Sequence, residues 1–238
     1  MRDIENIALS FEDYVLQFPH PGDWALDQDS CKFLGKLLKF LKVENILELG
    51  SGYSSVIIAN ELQQANNGFL HSIDNSNNWS MKAKSFASET QLSHRISFHV
   101  FKLNLRVNSK IPYIFYDIDD DFLNLCPIYD FVVIDGPHHD VGRDGALYHI
   151  FPKVKIGGYF FVDDAGAEHM RGTIKRWMAS FPTSITVRHF YEIGNGIAII
   201  KKLHNTSTEP RHTLVHSFVL WVKALRNYMR LQVLKLND

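Results

Sequence analysis

The sequence predicts an α/β protein built on a doubly wound, mostly parallel sheet. Short apolar segments that end in glycine or aspartate alternate with segments whose apolar residues recur at helical spacing. This alternation is typical of parallel strands joined by crossover helices. The last two apolar segments meet at Gly194-Asn195-Gly196, a sequence that favours a tight turn and therefore one antiparallel strand.

The first half of the chain contains three predicted strands and three predicted helices. Residues 1–28 are mixed, because two prolines and a glycine within 19–22 interrupt any regular element. The next segment, DQDSCKFLGKLLKFLK, predicts a helix with Asp29 or Ser30 as its N-cap. The elements that follow are a strand at 45–50, a helix at 54–62, a strand at 68–74, a helix at 79–92 and a strand at 96–101.

The second half begins with a long connection, residues 102–128, to which no element is assigned. The elements after it are a strand at 130–135, a helix at 142–151, a strand at 158–164, a helix at 170–181 and two final strands at 184–193 and 196–202. We therefore expect three parts: an N-terminal segment at 1–28, one domain at 29–203 and a C-terminal helix at 211–236.

The predicted C-terminal helix is amphipathic, with apolar residues on one face and basic residues on another. The apolar residues are Leu214, Phe218, Trp221, Val222, Leu225 and Met229, and the basic residues are Lys223, Arg226 and Arg230. An apolar face of this size needs a partner, and four partners remain open. They are the parent domain, a second copy of the chain in a homo-oligomer, a substrate that the helix covers, and an anionic membrane surface.

The composition disfavours several classes of protein. Hydrophobic residues make up 45% of the chain, and a formal net charge of -1 provides no general attraction to nucleic acid. The two cysteines, Cys31 and Cys126, have neither metal-ligand nor redox-motif spacing. The first residues lack the pattern of a signal peptide, and no apolar run approaches the roughly 18 residues of a membrane span. We expect a cytoplasmic protein.

The loop after the first predicted strand has the features of a site for an adenosine cofactor. Gly50 and Gly52 let the backbone approach a ligand closely and leave helix N–H groups free. Asp74 ends the second strand, at a spacing where a carboxylate can accept hydrogen bonds from ribose hydroxyls. A dinucleotide site would need a third glycine where this chain has Ser55, and Glu48 would repel a pyrophosphate. An NAD-dependent oxidoreductase is therefore the less favoured alternative.

At these residues the sequence resembles the class I S-adenosylmethionine-dependent methyltransferases. LELGSGYSS is similar to the first motif of that superfamily, HSID to the second, IGGYFFVDD to its late Gly-Gly strand and GNGIAIIKK to its final hairpin. The resemblance covers roughly residues 30–202 and implies a seven-stranded, Rossmann-like sheet with the last strand antiparallel. The candidate residues for binding S-adenosylmethionine are Glu48, Gly50, Ser51, Gly52 and Asp74, with Asn104 at the adenine edge.

The segment VVIDGPHHDVGRD carries a more specific resemblance. It is similar to the Asp-Gly-x-His motif of a branch that includes the metal-dependent macrolide-sugar O-methyltransferases. In that branch the aspartate and a later acidic pair hold Mg²⁺, and the histidine is the general base. For this chain the resemblance implies the ligands Asp135, Asp163 and Asp164 and the base His138. The sugar enzymes have Glu-Asp at the acidic pair, so Asp163 is one methylene shorter than its counterpart.

These residue types are chemically consistent with O-methylation. Mg²⁺ prefers carboxylate and water oxygens and leaves positions open for substrate hydroxyls. The cation would acidify the acceptor hydroxyl, and a neutral imidazole would remove its proton. We therefore expect Mg²⁺-assisted methylation of a hydroxylated small molecule, such as a sugar. For the function, the alternative is a methyltransferase-like module that binds without turnover. For Asp163-Asp164, the alternative is an acidic pair that only ends a strand. His139 is interpreted as a loop residue and not as a second base.

Overall fold

The computed structural model describes residues 1–22, 25–108, 111–138, 141–206 and 214–233. The helices in these ranges are α1 (Arg2–Ala8), α2 (Gln28–Leu41), α3 (Tyr53–Gln64), α4 (Asn77–Glu89), α5 (Asp120–Leu125), α6 (Gly145–Ile150), α7 (Glu168–Ser180) and α8 (Leu214–Val233). The strands are β1 (Asn45–Leu49), β2 (Phe69–Asp74), β3 (Ile96–Val100), β4 (Leu103–Asn108), β5 (Ile111–Tyr116), β6 (Tyr129–Ile134), β7 (Val154–Val162), β8 (Ile185–Phe190) and β9 (Ile197–Lys202).

Seven of the strands form one sheet, in the order β3-β2-β1-β6-β7-β9-β8. The pairs from β3 to β7 are parallel, whereas β9 runs antiparallel to both β7 and β8. The predicted fold class is therefore confirmed, including the antiparallel last strand. The chain moves outward from β1 to β3 and then returns to β6, so the strand order reverses between β1 and β6. In such sheets this reversal opens the crevice where ligands bind.

Side chains of the strands alternate between two hydrophobic cores, one on each face of the sheet. In β1, Leu47 and Leu49 enter one core and Ile46 enters the other; in β6, Val132 and Ile134 join the first of these cores. Helices α6, α7 and α8 cover the core that contains Leu47. Helices α1 to α4 cover the opposite core. Because both faces of the sheet are buried, its strands are continuous apolar runs in the sequence.

Helix α2 begins two to three residues before the predicted start. Its N-cap is Asp27, whose carboxylate accepts hydrogen bonds from the backbone N–H of Asp29 at 3.0 Å and of Ser30 at 2.9 Å. Both residues proposed as caps are therefore the donors of the capping interaction. Asp27, Asp29 and Ser30 are all residue types that favour the N-cap position, and only the backbone geometry shows that Asp27 occupies it.

The segment 102–128, predicted as a connection without elements, contains a β-hairpin and a short helix. Strands β4 and β5 pair antiparallel as a separate two-stranded sheet, and helix α5 follows. Every residue of β5 is buried in the core beneath helices α6 and α8. The apolar run of β5, which contains Pro112, lacks the alternation of a half-buried strand. The residues of β4 do alternate between apolar and polar, and the prediction missed that signal.

The mixed N-terminal segment also contains regular structure, which the prediction missed. Helix α1 contacts α2, and Ile4 and Ile7 are buried in the core on that side of the sheet. The prolines that interrupt regular structure lie farther along the segment, at positions 19 and 21. They therefore limit the length of the element without excluding it.

Helix α8 packs against β5 through a face different from the predicted apolar face. Its buried residues in the described range are Leu220, Ala224, Asn227 and Leu231. The predicted face is turned to solvent: Phe218 is 70% exposed and Met229 is 62% exposed, and Trp221, Val222 and Leu225 are also exposed. Apolar periodicity identifies one hydrophobic face of a helix, but the shape of the surface on which the helix packs decides which face is buried. The predicted helix ends at 211–213 and 234–236 lie outside the described residues.

The length and apolar character of the helices also bear on membrane association. Across the described ranges, no helix combines the length and the hydropathy that crossing a membrane requires.

Candidate functional site

The loops after β1 and β6 meet at the point where the strand order reverses. The Gly50 N–H donates to the carbonyl of Ile73 at 2.8 Å, and the N–H groups of Asp135 and Gly136 donate to the carbonyl of Leu49 at 2.9 and 2.6 Å. Gly50 has a φ of 101°, and a side chain there would lie 2.8 Å from the backbone nitrogen of Gly136. Glycine is therefore required at position 50 for both conformation and space.

A cavity of about 380 Å³ opens above these loops. Its lining contains most of the predicted cofactor residues together with the predicted base. The lining residues are Ala25, Leu26, Gly50, Ser51, Gly52, Ser54, Asp74, Asn75, Ser76, Trp79, Tyr116, Asp135, Gly136, Pro137, His138 and Arg143. The carboxyl ends of β1, β2 and β6 thus contribute to one crevice, as expected for a doubly wound sheet.

Asp74 forms one wall of the cavity and is held by backbone donors. Its Oδ2 accepts from the Ser51 N–H at 2.8 Å, and its Oδ1 accepts from the Ser76 N–H at 2.7 Å. Burial raises the pKa of Asp74, and these hydrogen bonds oppose that effect. A backbone hydrogen bond from Asn75 also contributes. Because a carboxylate offers about four acceptor positions, one remains for a ligand hydroxyl.

Glu48, predicted to contact the cofactor, is fully buried beneath the loop and is not among the residues that line the cavity. Its carboxyl group accepts hydrogen bonds from the hydroxyl groups of Ser54 at 2.6 Å, of Ser72 at 2.6 Å and of Ser55. Burial raises the pKa of Glu48 to about 7, although the three hydroxyls lower it. The contacts of this side chain hold β1, β2 and the start of α3 together.

Asp135, Asp163 and Asp164 form an acidic cluster at the ends of β6 and β7. One carboxylate oxygen from each lies within 4.8 Å of the other two. Burial raises the pKa of Asp135, and the neighbouring guanidinium of Arg143 opposes this. Burial, followed by the charges of the two adjacent carboxylates, raises the pKa of Asp163 well above its ordinary value. Without additional positive charge, these groups cannot all ionise at low cost.

The chemistry of this cluster fits a hard divalent cation. Carboxylate oxygens are the ligands that Mg²⁺ prefers, and three are close enough to share one ion. Asp163 is 5% exposed, and its buried Oδ1 has no hydrogen-bond partner among the described residues. Such an atom is costly unless a cation or proton satisfies it. Arg143, within hydrogen-bonding distance of two of the aspartates, already compensates part of the charge.

His138 lies at the exposed rim of the cavity, three residues after Asp135. Its carbonyl accepts from the N–H groups of Val141 at 3.1 Å and Gly142 at 3.3 Å, which closes the loop behind it. The structure therefore brings His138, Asp135 and Asp74 to the same cavity. His139 lies outside the described residues.

Asn104, predicted at the adenine edge, is not brought to this cavity. It is exposed on β4, and its side-chain oxygen accepts from the N–H of Leu105 at 2.8 Å. The prediction depended on Asn104 following β3 directly, whereas the chain there enters the β4–β5 hairpin. Residues of that hairpin contact helix α8 and lie outside the main sheet.

Tyr116, at the end of β5, is a cavity residue that the sequence prediction missed. It is fully buried and lines the cavity, and its buried hydroxyl has no hydrogen-bond partner among the described residues. Burial raises the pKa of Tyr116 well above its ordinary value, so the hydroxyl keeps its proton and can donate to a ligand. No local signal marks this residue, because the hairpin alone brings it to the site.

Comparison with known proteins agrees with this architecture. The model of a family described as a methyltransferase domain matches residues 47–165, half of the chain. No curated protein matches the sequence. The chain therefore belongs to the methyltransferase-domain family, and its predicted class, the class I S-adenosylmethionine-dependent methyltransferases, is confirmed.

Solved structures support the same fold at low sequence identity. The O-methyltransferase TomG from Streptomyces achromogenes, involved in tomaymycin synthesis and solved with S-adenosylmethionine, is 18% identical with a TM-score of 0.58, over 86% of this chain and 91% of that chain. An O-methyltransferase from Bacillus cereus in complex with S-adenosylhomocysteine is 15% identical with a TM-score of 0.53, over 85% and 91%. The methyltransferase PaMTH1 from Podospora anserina, bound to S-adenosylhomocysteine, is 13% identical with a TM-score of 0.57, over 84% and 88%.

The buried carboxyl group of Glu48 predicts a specific pH dependence of stability. Between its ordinary pKa of 4.5 and its folded value of about 7, Glu48 holds a proton in the folded chain and releases it on unfolding. The free energy of unfolding therefore falls as pH rises through this window. Glu48→Gln cannot titrate, so the wild type should lose up to about 3 kcal/mol relative to the variant between pH 5 and pH 8.

Urea denaturation of both proteins at several pH values measures this difference. Other buried acids contribute equally to the two proteins, so the difference isolates position 48. Two parallel profiles would contradict the assignment.

Proposed function

We propose that the protein is an S-adenosylmethionine-dependent O-methyltransferase acting on a hydroxylated small molecule, of which a sugar is one example. The observation that carries the proposal is the single cavity lined by the Gly50–Gly52 loop, Asp74, Asp135 and His138. One side of it has the backbone and carboxylate groups that suit a nucleoside, and the other side has acid and imidazole groups that suit a hydroxyl.

The cofactor side is proposed to hold S-adenosylmethionine through the backbone of Gly50, Ser51 and Gly52 and through Asp74. The Asp74 carboxylate would accept a ribose hydroxyl while retaining its backbone donors, which include Ser51 and Ser76. Glu48 would act indirectly, because its hydrogen bonds to serines fix the loop from below. S-adenosylhomocysteine in solved structures of similar fold supports this choice of cofactor.

The acceptor side is proposed to combine His138 as general base with Asp135 as an anchor for the acceptor. The acceptor oxygen would bond to the methyl carbon as the bond from carbon to the sulfonium sulfur breaks. The sulfur retains that electron pair, and the hydroxyl proton passes to the His138 imidazole. The Tyr116 hydroxyl can donate a hydrogen bond to either ligand from the cavity wall.

A divalent cation, Mg²⁺ in the first instance, is proposed to bind at Asp135, Asp163 and Asp164. When bound, it would supply Lewis-acid stabilisation of the acceptor oxygen. The support is the fit of the three carboxylates and the Asp163 Oδ1 atom, for which the described residues provide no hydrogen-bond partner.

The cytoplasmic location stays a prediction, which cell fractionation would test.

The first prediction for this function concerns the cofactor. Asp74→Ala should weaken binding of S-adenosylhomocysteine by about 1–3 kcal/mol, because backbone N–H groups and a ribose hydroxyl lose their acceptor. Isothermal titration calorimetry measures the change, and Asp121→Ala, at an exposed position on α5, is the control. Binding of NAD in place of S-adenosylhomocysteine would refute the proposed cofactor and favour an oxidoreductase.

The second prediction concerns the base. His138→Ala should leave affinity for S-adenosylhomocysteine nearly intact and lower kcat about 10²–10⁴-fold, the usual contribution of a positioned general base. His139→Ala is the matched control and should cost much less. Normal turnover by the His138 variant would contradict the role, as would equal losses at both histidines. Cofactor binding without turnover on any hydroxylated acceptor would favour a non-catalytic module.

The third prediction is a homo-oligomer formed through helix α8. Phe218, Leu225 and Met229 expose apolar surface on the side away from the sheet, and a contiguous patch of this kind is typical of an interface. Leu225→Glu combined with Met229→Glu should convert the oligomer to a monomer in sedimentation velocity, whereas Gln232→Glu should not. A monomeric wild type at about 100 μM, a concentration at which interfaces of ordinary affinity persist, would refute it.

A further inference from the structure

The side chain of Arg143 lies inside the acidic cluster. It is 5% exposed, and its Nη2 and Nη1 atoms lie 3.1 Å from Asp135 Oδ1 and 3.1 Å from Asp164 Oδ2. One guanidinium thus bridges the loops that follow β6 and β7. Because the arginine is buried and both carboxylates are only partly exposed, water and salt screen these pairs less than they screen exposed pairs.

Two more donors of Arg143 are also used. Its Nε donates to the carbonyl of Pro137 at 3.1 Å, and its Nη1 lies 3.4 Å from the carbonyl of Asp163. All three nitrogens therefore have acceptors in the two loops. The planar guanidinium matches this arrangement, which a lysine ammonium could satisfy only in part.

The turn that carries Arg143 is held from outside the site. Asp144 accepts from Arg176 Nε at 2.6 Å and from Lys223 Nζ at 2.6 Å. The Asn227 side chain donates to the carbonyl of Val141 at 2.8 Å. Contacts from helices α7 and α8 fix the chain on both sides of Arg143. The direction of its side chain towards the acidic cluster therefore does not depend on its own ion pairs.

Arg143 does not satisfy the whole cluster. The Oδ1 atom of Asp163 is buried and has no hydrogen-bond partner in the described part of the chain. Asp163 belongs to the group of three carboxylates that could share one ion. The guanidinium of Arg143 therefore pairs with Asp135 and Asp164, and Asp163 remains available to a metal ion.

We propose that Arg143 competes with a divalent cation for Asp135 and Asp164, so that its two ion pairs and full metal coordination exclude each other. Each of these carboxylates directs an oxygen to the guanidinium, and an ion placed among the three would take up the same negative charge. Metal binding then requires the guanidinium to withdraw. The inference rests on the proposed function only in taking the acidic cluster as a cation site.

The competition is tested by metal binding alone, without cofactor or acceptor. Mn²⁺ binding is measured by electron paramagnetic resonance, with Mg²⁺ as the competing ion. Arg143→Met should bind Mn²⁺ about 10- to 100-fold more tightly than the wild type, the equivalent of one lost charge-assisted hydrogen bond. Arg143→Lys should give an intermediate affinity. Arg188→Met, which removes an arginine of β8 that is paired with Glu5 outside the frame of the site, is the control for loss of one positive charge and should leave the affinity unchanged.

Equal or weaker Mn²⁺ binding by Arg143→Met would overturn the proposal, as would the same gain in Arg188→Met. No binding by any variant would overturn the competition and the cation site, while leaving methyl transfer to be judged by the S-adenosylhomocysteine titration. A second readout uses the folded wild type, should the Met variant fail to fold. Saturating Mg²⁺ should shift the ¹⁵Nε resonance of Arg143 and increase its solvent exchange, and an unchanged resonance would overturn the proposal.

Discussion

The constraint on which this site depends is the placement of carboxyl groups at one buried edge of the sheet. Each is compensated in a different way. Glu48 receives three serine hydroxyls, and Asp74 receives backbone N–H groups. Asp135 and Asp164 share the guanidinium of Arg143, and one oxygen of Asp163 has no hydrogen-bond partner in the part of the chain that the structure describes. Because uncompensated buried charge is costly, these pairings determine how the loops around the cavity are arranged.

The pairing through Arg143 connects the site to elements remote in sequence. Arg143 lies on a turn whose next residue, Asp144, is held by Arg176 of α7 and Lys223 of α8. Burial alone would raise the pKa of Asp144, but the positive charges of Lys223 and Arg176 lower it. Helix α8 is therefore part of the frame that positions the acidic cluster, in addition to covering the hairpin.

The same helix presents two different surfaces. Its inward stripe contains the small residue Ala224 and the polar residue Asn227, which allow close contact with β5 and the turn. Its outward stripe contains the larger apolar side chains, such as Phe218 and Met229. Bulk on the outward stripe and hydrogen-bonding capacity on the inward stripe explain why the helix docks through its less hydrophobic side.

The sequence by itself determined the alternation of strands and helices, the glycine loop at 50–52 and the methyltransferase class, because periodicity and short motifs are local properties. It also singled out Asp74, Asp135 and His138, which the structure brings to one cavity. Only the tertiary structure decided the inward orientation of Glu48, the hairpin that carries Tyr116, the displacement of Asn104, the docking face of α8 and the position of Arg143. These features depend on contacts between residues far apart in the chain, such as Asn227 with Val141, and on which surfaces fit together. No local pattern encodes that complementarity, because it exists only once the helices and the hairpin have packed against the sheet.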